Sequence, residues 1–417
     1  MSSLPRTVYI VDGLRSPFLK ATGVPNPLKA SDLALHVARP LLSRQSFPQE
    51  ALNDLILGCV MPEASEANIA RIIALRLGLQ DLPAWTVQRN CASGLQALDC
   101  AWQKIALGQA DLILAGGTEA MSRAPVIWRP EAVAWMAQFT KAKTALDKTK
   151  LLWRWPWKGF KPIVGLLKGL TDPVVGLSMG QTAEHLAGKF GISRSEADEY
   201  AYRSHRRVMQ GVEVGVIEPT PLFDAQGKRY LKDEGVRPDI SIEKLAQLKP
   251  VFEPPFGCVT AGNSSQVSDG AAWLILASEQ AIKQYQLPIL GKMSQVAWAA
   301  LAPEEMGLGP VLAIRALMKA QGQSWSHIDY VEINEAFAVQ VLACLKQLSE
   351  DVALAWLEER VNSHGGAIAV GHPVSASGAR LVLELLHTLK RKEAKKGIAS
   401  LCIGGGQGGA VLLERVD

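Results

Sequence analysis

Two stretches far apart in the chain have the same order of parts. In the first, Ser93-Gly94 opens a helical pattern with Leu95, Leu98, Trp102 and Ile105 on one face and Gly108 as its stop. An apolar strand, Asp111 to Thr118, follows and ends in Gly116-Gly117. In the second, Ser377-Gly378 opens a helix through Leu381, Leu383, Leu386 and Leu389, followed by the strand Ile398 to Cys402 and Gly404-Gly405-Gly406. A duplicated α/β unit explains the match. Strand, helix and strand in this order imply a parallel sheet covered by helices, and two such halves facing each other bring their strand ends to one cleft. Upstream, Thr7 to Val11 reads as a strand closed by an Asp12-Gly13 turn, Ser31 as the cap of a helix carrying Leu33, Leu35, Val37 and Leu41, and Leu55 to Gly58 as the next strand. Ile328 to Ile333 is the corresponding strand of the second half.

A chain of 417 residues is too long for one ordinary core, and 48% hydrophobic against 20% charged residues indicates an enzyme-like globular protein with much buried sheet. The net charge is +4 and the lysines and arginines are dispersed except in one region, a pattern unlike that of a nucleic-acid binder. Six widely spaced cysteines with no C-x-x-C pair and no secretory leader point to reduced thiols and a cytoplasmic setting. No apolar run approaches the ~20 residues that cross a bilayer.

Between the halves, from about 122 to 249, the pattern changes. Across Lys141, Lys143, Lys148, Lys150, Arg154, Lys158, Lys161 and Lys168 the only acid is Asp147, and Trp153, Trp155 and Trp157 lie among them. Tryptophan with lysine is the composition of an interfacial segment, so 151–170 is read either as a peripheral membrane or partner contact or as a loop folded over its own domain. Pro156, Gly159 and Pro162 prevent one clean amphipathic helix. Ser193 to Met209 reads as a capped, polar helix forming an exposed layer.

The chemistry gathers at strand ends. Cys91 follows the β-prone run Ala84 to Val87 and directly precedes a helix, whose positive end favours loss of the thiol proton. An isolated cysteine is more often a small buried residue, so the reading rests on its companions. His372, in the glycine-rich turn Gly365 to Pro373, is a candidate base. Asn334, directly after a strand, is either an amide aimed into the cleft or an ordinary helix cap. Cys402 offers a second thiol, and the backbone at Gly404 offers N–H groups for an oxyanion. Together they describe a Cys–His acyl-transfer site with a spare acid–base group.

These residues stand in pieces that resemble the thiolases nearly end to end: Asn90-Cys91-Ala92-Ser93-Gly94, Gly116 to Ser122, Asn334-Glu335-Ala336-Phe337-Ala338, Gly365 to Ala369 with Gly371-His372-Pro373, and Cys402 with Gly404-Gly405-Gly406. The resemblance implies a duplicated five-layer αβαβα fold with a loop-domain insertion. The N-terminal half would span 1–121, completed by about 250–280, the insert 122–249 would cover the coenzyme A site, and the C-terminal half would span 281–417. It implies that Cys91 carries the acyl group, that His372 takes its proton, and that Cys402 is the acid and base at the α-carbon. One oxyanion hole would use His372 and a water held by Asn334, the other the N–H groups of Cys91 and Gly404.

Coenzyme A thioesters are then the substrates, with no permanently bound cofactor and no metal. By the same resemblance Ala261 and Ser265 lie beside pantetheine, Arg237 near the nucleotide end, and Met179 by the acyl pocket. Ser178 stands where some relatives carry histidine, and Val374-Ser375-Ala376 where glycine often follows His-Pro. The insert looks most like that of fatty-acid-oxidation 3-ketoacyl-CoA thiolases, which partner a hydratase–dehydrogenase subunit, whereas Asn334 is the choice of other thiolases. The expected activity is thiolytic cleavage of 3-ketoacyl-CoA, with acetoacetyl-CoA synthesis as the alternative and a non-catalytic CoA or lipid binder as the different-class alternative. A homodimer or tetramer is expected.

Overall fold

A computed structural model describes residues 5–416. The first half contributes β1 (Val8–Arg15), α1 (Ala30–Ser43), β2 (Asp54–Gly58), α2 (Ile69–Arg76), β3 (Ala84–Val87), α3 (Ser93–Ala106) and β4 (Leu112–Ala120). Two helices, α4 (Pro130–Lys141) and α5 (Ala145–Trp153), belong to a separate unit treated below. Then come α6 (Met179–Phe190), α7 (Arg194–Glu213), β5 (Ser268–Ser278), β6 (Gly291–Met293), β7 (Ala297–Ala300) and α8 (Gly309–Ala320). The chain closes with β8 (Tyr330–Ile333), α9 (Ala338–Leu348), α10 (Val374–Arg391), β9 (Lys396–Ile403) and β10 (Gln407–Glu414).

The strands join in the order β8-β9-β10-β6-β1-β5-β4-β2-β3, with β7 pairing β10. The sheet is mixed, where the sequence implied a parallel one. Among the described residues, parallel strand pairs are confined to β2 with β3 and β4, and to β8 with β9. The duplication survives this difference: β4 lies parallel to β2 and antiparallel to β5, as β9 lies parallel to β8 and antiparallel to β10. Hydrophobic cores mark the layers. One packs α1 and α2 on the first half's strands, one encloses α3 and α10, and one packs α6, α7, α8 and α9 on the second half's strands. The five layers therefore run helix, strand, helix, strand, helix.

The middle layer explains several sequence features. Every residue from Val374 to Leu386 is buried, as a helix sandwiched on all sides must be. Here α3 and α10 meet backbone to backbone: a Cβ on Gly94 would lie 2.3 Å from the Ser375 carbonyl oxygen, and one on Gly117 1.9 Å from it. Gly116-Gly117 do not end the strand. β4 continues to Ala120, and the glycines leave room for the helix start. Nor does Asp12-Gly13 close a turn. β1 runs on to Arg15 past a bulge between Ile10 and Asp12, and a Cβ on Gly13 would lie 2.8 Å from Leu383 Cδ1.

Two helix expectations also change. Lys29, not Ser31, occupies the N-cap of α1. The Asp32 carboxylate accepts the Lys29 N–H (3.0 Å), while the buried Ser31 hydroxyl turns to Glu66 (2.5 Å). Helix α7 starts at the expected Ser193 capping box with Glu196, but it is not merely an exposed layer: Ala197, Tyr200, Ala201, Ser204, His205, Val208 and Gly211 are buried at helical spacing. Of the stretch 122–249, only Ala124–Thr171 forms a separate compact unit, and 172–249 is compact with the two halves.

Within that unit, Val126–Ile127 pairs antiparallel with Ile163–Val164, and Trp135 from α4 sits among Trp155, Phe160 and Phe139 at ring distances of 4.5, 5.6 and 5.0 Å. Trp155 stacks on Phe160 at 4.1 Å. Trp153 and Trp157 are instead 93% and 82% exposed. Among the described residues no helix is long and apolar enough to cross a membrane.

Candidate active site

Cys91 sits on a turn that its neighbours cross-link. Asn90 takes a left-handed conformation (φ 44°), which asparagine tolerates, and its carbonyl accepts both the Ser93 N–H (3.1 Å) and the Ser93 hydroxyl (2.7 Å). The Asn90 side chain donates to the Gly404 carbonyl (2.9 Å), tying this turn to the one that follows β9. Cys91 keeps some accessible surface, yet burial pushes its thiol above the usual cysteine range. Backbone N–H groups of Gly404 and of Cys91 itself point at the sulfur and pull the other way. The expected easing of deprotonation at the helix start is thus outweighed by desolvation.

His372 precedes α10 as Cys91 precedes α3, and the Gly94–Ser375 contact brings those two helix starts together. Gly371 before it has φ 107°, and a Cβ there would meet the Ser268 hydroxyl at 2.2 Å. The His372 N–H donates to the Gln266 carbonyl (3.1 Å). Its Nδ1 lies 2.6 Å from Ser377 Oγ, whose own hydrogen goes to the Pro373 carbonyl (3.2 Å), so this network assigns the ring hydrogen to Nδ1 and leaves Nε2 as the acceptor. Burial, followed by the nearby Arg380 charge, lowers its pKa to about 3. The imidazole is neutral at physiological pH and can take a proton.

Asn334 is fully buried and is no helix cap, since α9 begins at Ala338 with Phe337 at its N-cap. Its N–H donates to Ser400 of β9 (2.9 Å), and its Nδ2 faces the imidazole at 3.4 Å from Nδ1 and 3.5 Å from Nε2. Cys402, near the end of β9, is held protonated well above the cysteine range, first by burial and then by the neighbouring Cys91 sulfur. Met179, the first residue of α6 after its Ser178–Gln181 capping box, places Sδ 3.4 Å from where a Gly404 Cβ would be. A base with an amide beside it, and two protonated thiols with backbone N–H groups at one of them, are the kinds of group that can form, hold and release a thioester.

The remaining candidates lie in the adjoining segments. Ser265 donates its N–H to Ala336 (3.0 Å), directly beside the Asn334 loop, and Ala261 is exposed on the turn that Thr260 and Asn263 stabilise. The Arg237 N–H is held by His205 Nδ1 (3.1 Å), itself kept neutral by burial with a pKa of about 4. The Ser375 hydroxyl, just after His372-Pro373, donates to Glu119 of β4 (2.5 Å).

Comparison with known proteins shows the family. The family model for the thiolase N-terminal domain matches residues 8–280, and that for the C-terminal domain matches 287–415. The chain belongs to the thiolase family. This thiolase is 38% identical to the beta-ketoadipyl-CoA thiolase of Pseudomonas aeruginosa over 99% of its own length and all of the relative's. The solved acetyl-CoA acetyltransferase of Bacillus anthracis superposes with a TM-score of 0.86 at 35% identity, each chain fully covered. Human mitochondrial 3-ketoacyl-CoA thiolase in complex with CoA gives the same TM-score at 36% identity, covering 99% and 98% of the two chains. As a member of this family the protein is an acyltransferase.

Some groups that build this candidate site were not singled out from sequence. Glu335 is buried and accepts from Tyr200 (3.0 Å) and Ser204 (2.6 Å) of α7 and from the Ile368 N–H (3.2 Å), fastening the Asn334 loop to the turn that carries His372. Asn90 and Ser377 were legible only as parts of motifs, and Arg380 only as one of several charged residues in its helix.

Proposed function

We propose that this thiolase cleaves a 3-ketoacyl-CoA with free coenzyme A, giving acetyl-CoA and an acyl-CoA shortened by two carbons, and that Cys91, His372, Cys402, Asn334 and Gly404 carry the chemistry. The observation that supports this most is the apposition of the two helix starts that follow Cys91, a protonated thiol, and His372, a neutral imidazole, with a second protonated thiol, Cys402, beside Cys91. His372 Nε2 takes the Cys91 proton, and the thiolate adds to the 3-keto carbon. Backbone N–H groups of Cys91 and Gly404 hold the resulting oxyanion. As the carbon–carbon bond breaks, its electron pair forms the acetyl-CoA enolate, which the imidazolium and a water held by Asn334 stabilise and which Cys402 protonates. The Cys402 thiolate then takes the proton of incoming CoA, whose sulfur attacks the thioester, and Cys91 leaves and regains its proton from His372. Arg237, Ala261, Ser265 and Met179 are the proposed contacts to CoA and its acyl chain.

Labelled acetyl-CoA tests the assignment. Cys91→Ser leaves no thioester adduct, whereas Cys402→Ala is still acylated and loses carbon–carbon chemistry by about 10²–10⁴-fold. An adduct on Cys91→Ser removes that residue from its role, and equal loss of both steps makes Cys402 structural. The same atoms run backwards condense two acetyl-CoA molecules, and the names of the relatives span both directions. Cleavage rates for acetoacetyl-CoA, a long-chain 3-ketoacyl-CoA and beta-ketoadipyl-CoA separate the substrates. The six free cysteines fit a reducing, cytoplasmic compartment, and the resemblance favours at least a dimer, which analytical ultracentrifugation checks. The exposed tryptophans and cations of 151–170 support a peripheral contact with an anionic lipid surface.

A further inference from the structure

The Asn334 amide has a second neighbour. Arg380, fully buried on α10, donates from Nη2 to Asn334 Oδ1 (3.2 Å), on the side away from the imidazole. With the oxygen engaged by a guanidinium, the Nδ2 group is the one left to face His372. A flipped amide would set two donors against each other. The guanidinium is itself held. Arg380 Nη1 donates to Glu384 Oε2 (3.0 Å) one turn along the helix, and Glu384 Oε1 lies 2.8 Å from Arg15 Nε, off the hydrogen-bond axis, as an ion pair. Arg15, on β1 of the other half, closes a bidentate pair with Asp233, both bonds 2.8 Å, and Asp233 also accepts the Phe18 N–H (2.8 Å). Two cations and two anions, each under about a tenth exposed, thus run in one line from Asp233 to the amide.

Such a chain is a poor device for stability alone, because replacing buried ion pairs with packed apolar groups is often neutral or better. What it supplies is direction: a planar fork fixed at one end by a carboxylate aims the other end at a single atom. We propose that Arg380 is a positioning residue that sets which end of the Asn334 amide faces His372, and that Glu384, Arg15 and Asp233 hold Arg380 in place. The proposal rests on the reading above in which Asn334 serves the oxyanion. It adds that the amide's orientation is imposed by the opposite half of the fold through Arg15, and by the segment bearing Asp233, four residues ahead of the proposed CoA contact Arg237.

A double-mutant cycle tests it. Arg380→Met is paired with Glu384→Gln so that one positive and one negative charge leave together, and circular dichroism melting checks folding. Glu384→Gln alone is the milder second variant. In wild-type background the paired variant lowers kcat for 3-ketoacyl-CoA cleavage by about 10–10²-fold, the cost of a misplaced group, with KM within about twofold. In an Asn334→Ala background, already slowed, the same pair changes kcat by less than about twofold, because no amide remains to be oriented. An equal fold-loss in both backgrounds, or a loss confined to KM, overturns the positioning role. Full activity of Asn334→Ala itself would instead overturn the reading of Asn334 on which the proposal rests.

Discussion

At a single residue, two effects of opposite sign meet on the Cys91 sulfur. A helix start favours an anion by about 0.3–2 kcal/mol, and enclosing a thiolate costs more than that. The thiol therefore stays protonated, and His372, pushed to about 3, stays neutral. Alkylation of the Cys91 peptide by iodoacetamide, followed by mass spectrometry, should rise about tenfold per pH unit from pH 7 to 9. A rate already level at pH 7 would mean a resting thiolate–imidazolium pair. A second histidine bears on stability. His205 titrates near 4 when folded and near 6.5 when unfolded, so the unfolded chain binds more protons between those values. Its contribution is fully present above pH 6.5 and is lost as pH falls towards 4. His205→Asn, whose amide oxygen can take the same Arg237 N–H, should flatten unfolding free energy against pH in that window by up to about 1.4 kcal/mol per unit, read from urea midpoints. An unchanged slope would remove His205 from the acid response. Sequence singled out Cys91, His372, Asn334 and Cys402, because they carry motifs. It did not reveal their protonation, which depends on burial, or the Arg380 contact, which depends on a helix meeting a loop 46 residues away in the chain.

Among elements, the seam between α3 and α10 sets the tolerances. Gly94→Ala forces a Cβ against the backbone oxygen of Ser375 at 2.3 Å, where no side chain can yield. Gly188→Ala, inside α6 with nothing within 4 Å of the added carbon, meets no obstacle. The first should destabilise by about 1–3 kcal/mol or more and the second stabilise by about 0.4–1 kcal/mol, measured as shifts in denaturant midpoint. Destabilisation of the same size in both would show that the seam is not special. Periodicity and glycine stops located α3, with Gly108 at φ 72° just past its end, and the strands on either side. Strand direction escaped the same reasoning because the central antiparallel pairs are made between segments far apart in the chain, such as β4 with β5 and β1 with β6. Asp12-Gly13 misled for a related reason. The glycine answers a helix pressing from above, and a local turn rule has no access to that pressure.

At the scale of the whole molecule, duplication was legible because both copies keep the Ser-Gly helix start and the glycines, whereas the extent of the separate unit was not. Composition changes at about 122 and recovers only by 249, yet only Ala124–Thr171 forms a compact unit of its own. Residues beyond 171 look polar because they line a surface while their other face is buried, as α7 does. Within the small unit, Trp135 and Trp155 are packed among aromatic rings, whereas Trp153 and Trp157 are largely exposed. Co-sedimentation with anionic vesicles should capture the intact protein and lose a Trp153→Ala/Trp157→Ala variant, and absence of binding by the intact protein would exclude the lipid contact. The backbone contact of Gly94 and Gly117 with Ser375 carries a last consequence, for how such enzymes diversify. Chimeras that splice one family member's front portion to another's rear will assemble only where both parents leave that crossing bare of side chains. Swapped specificity should therefore arrive through outer loops, while the meeting line of the two ancestral copies is inherited as a block.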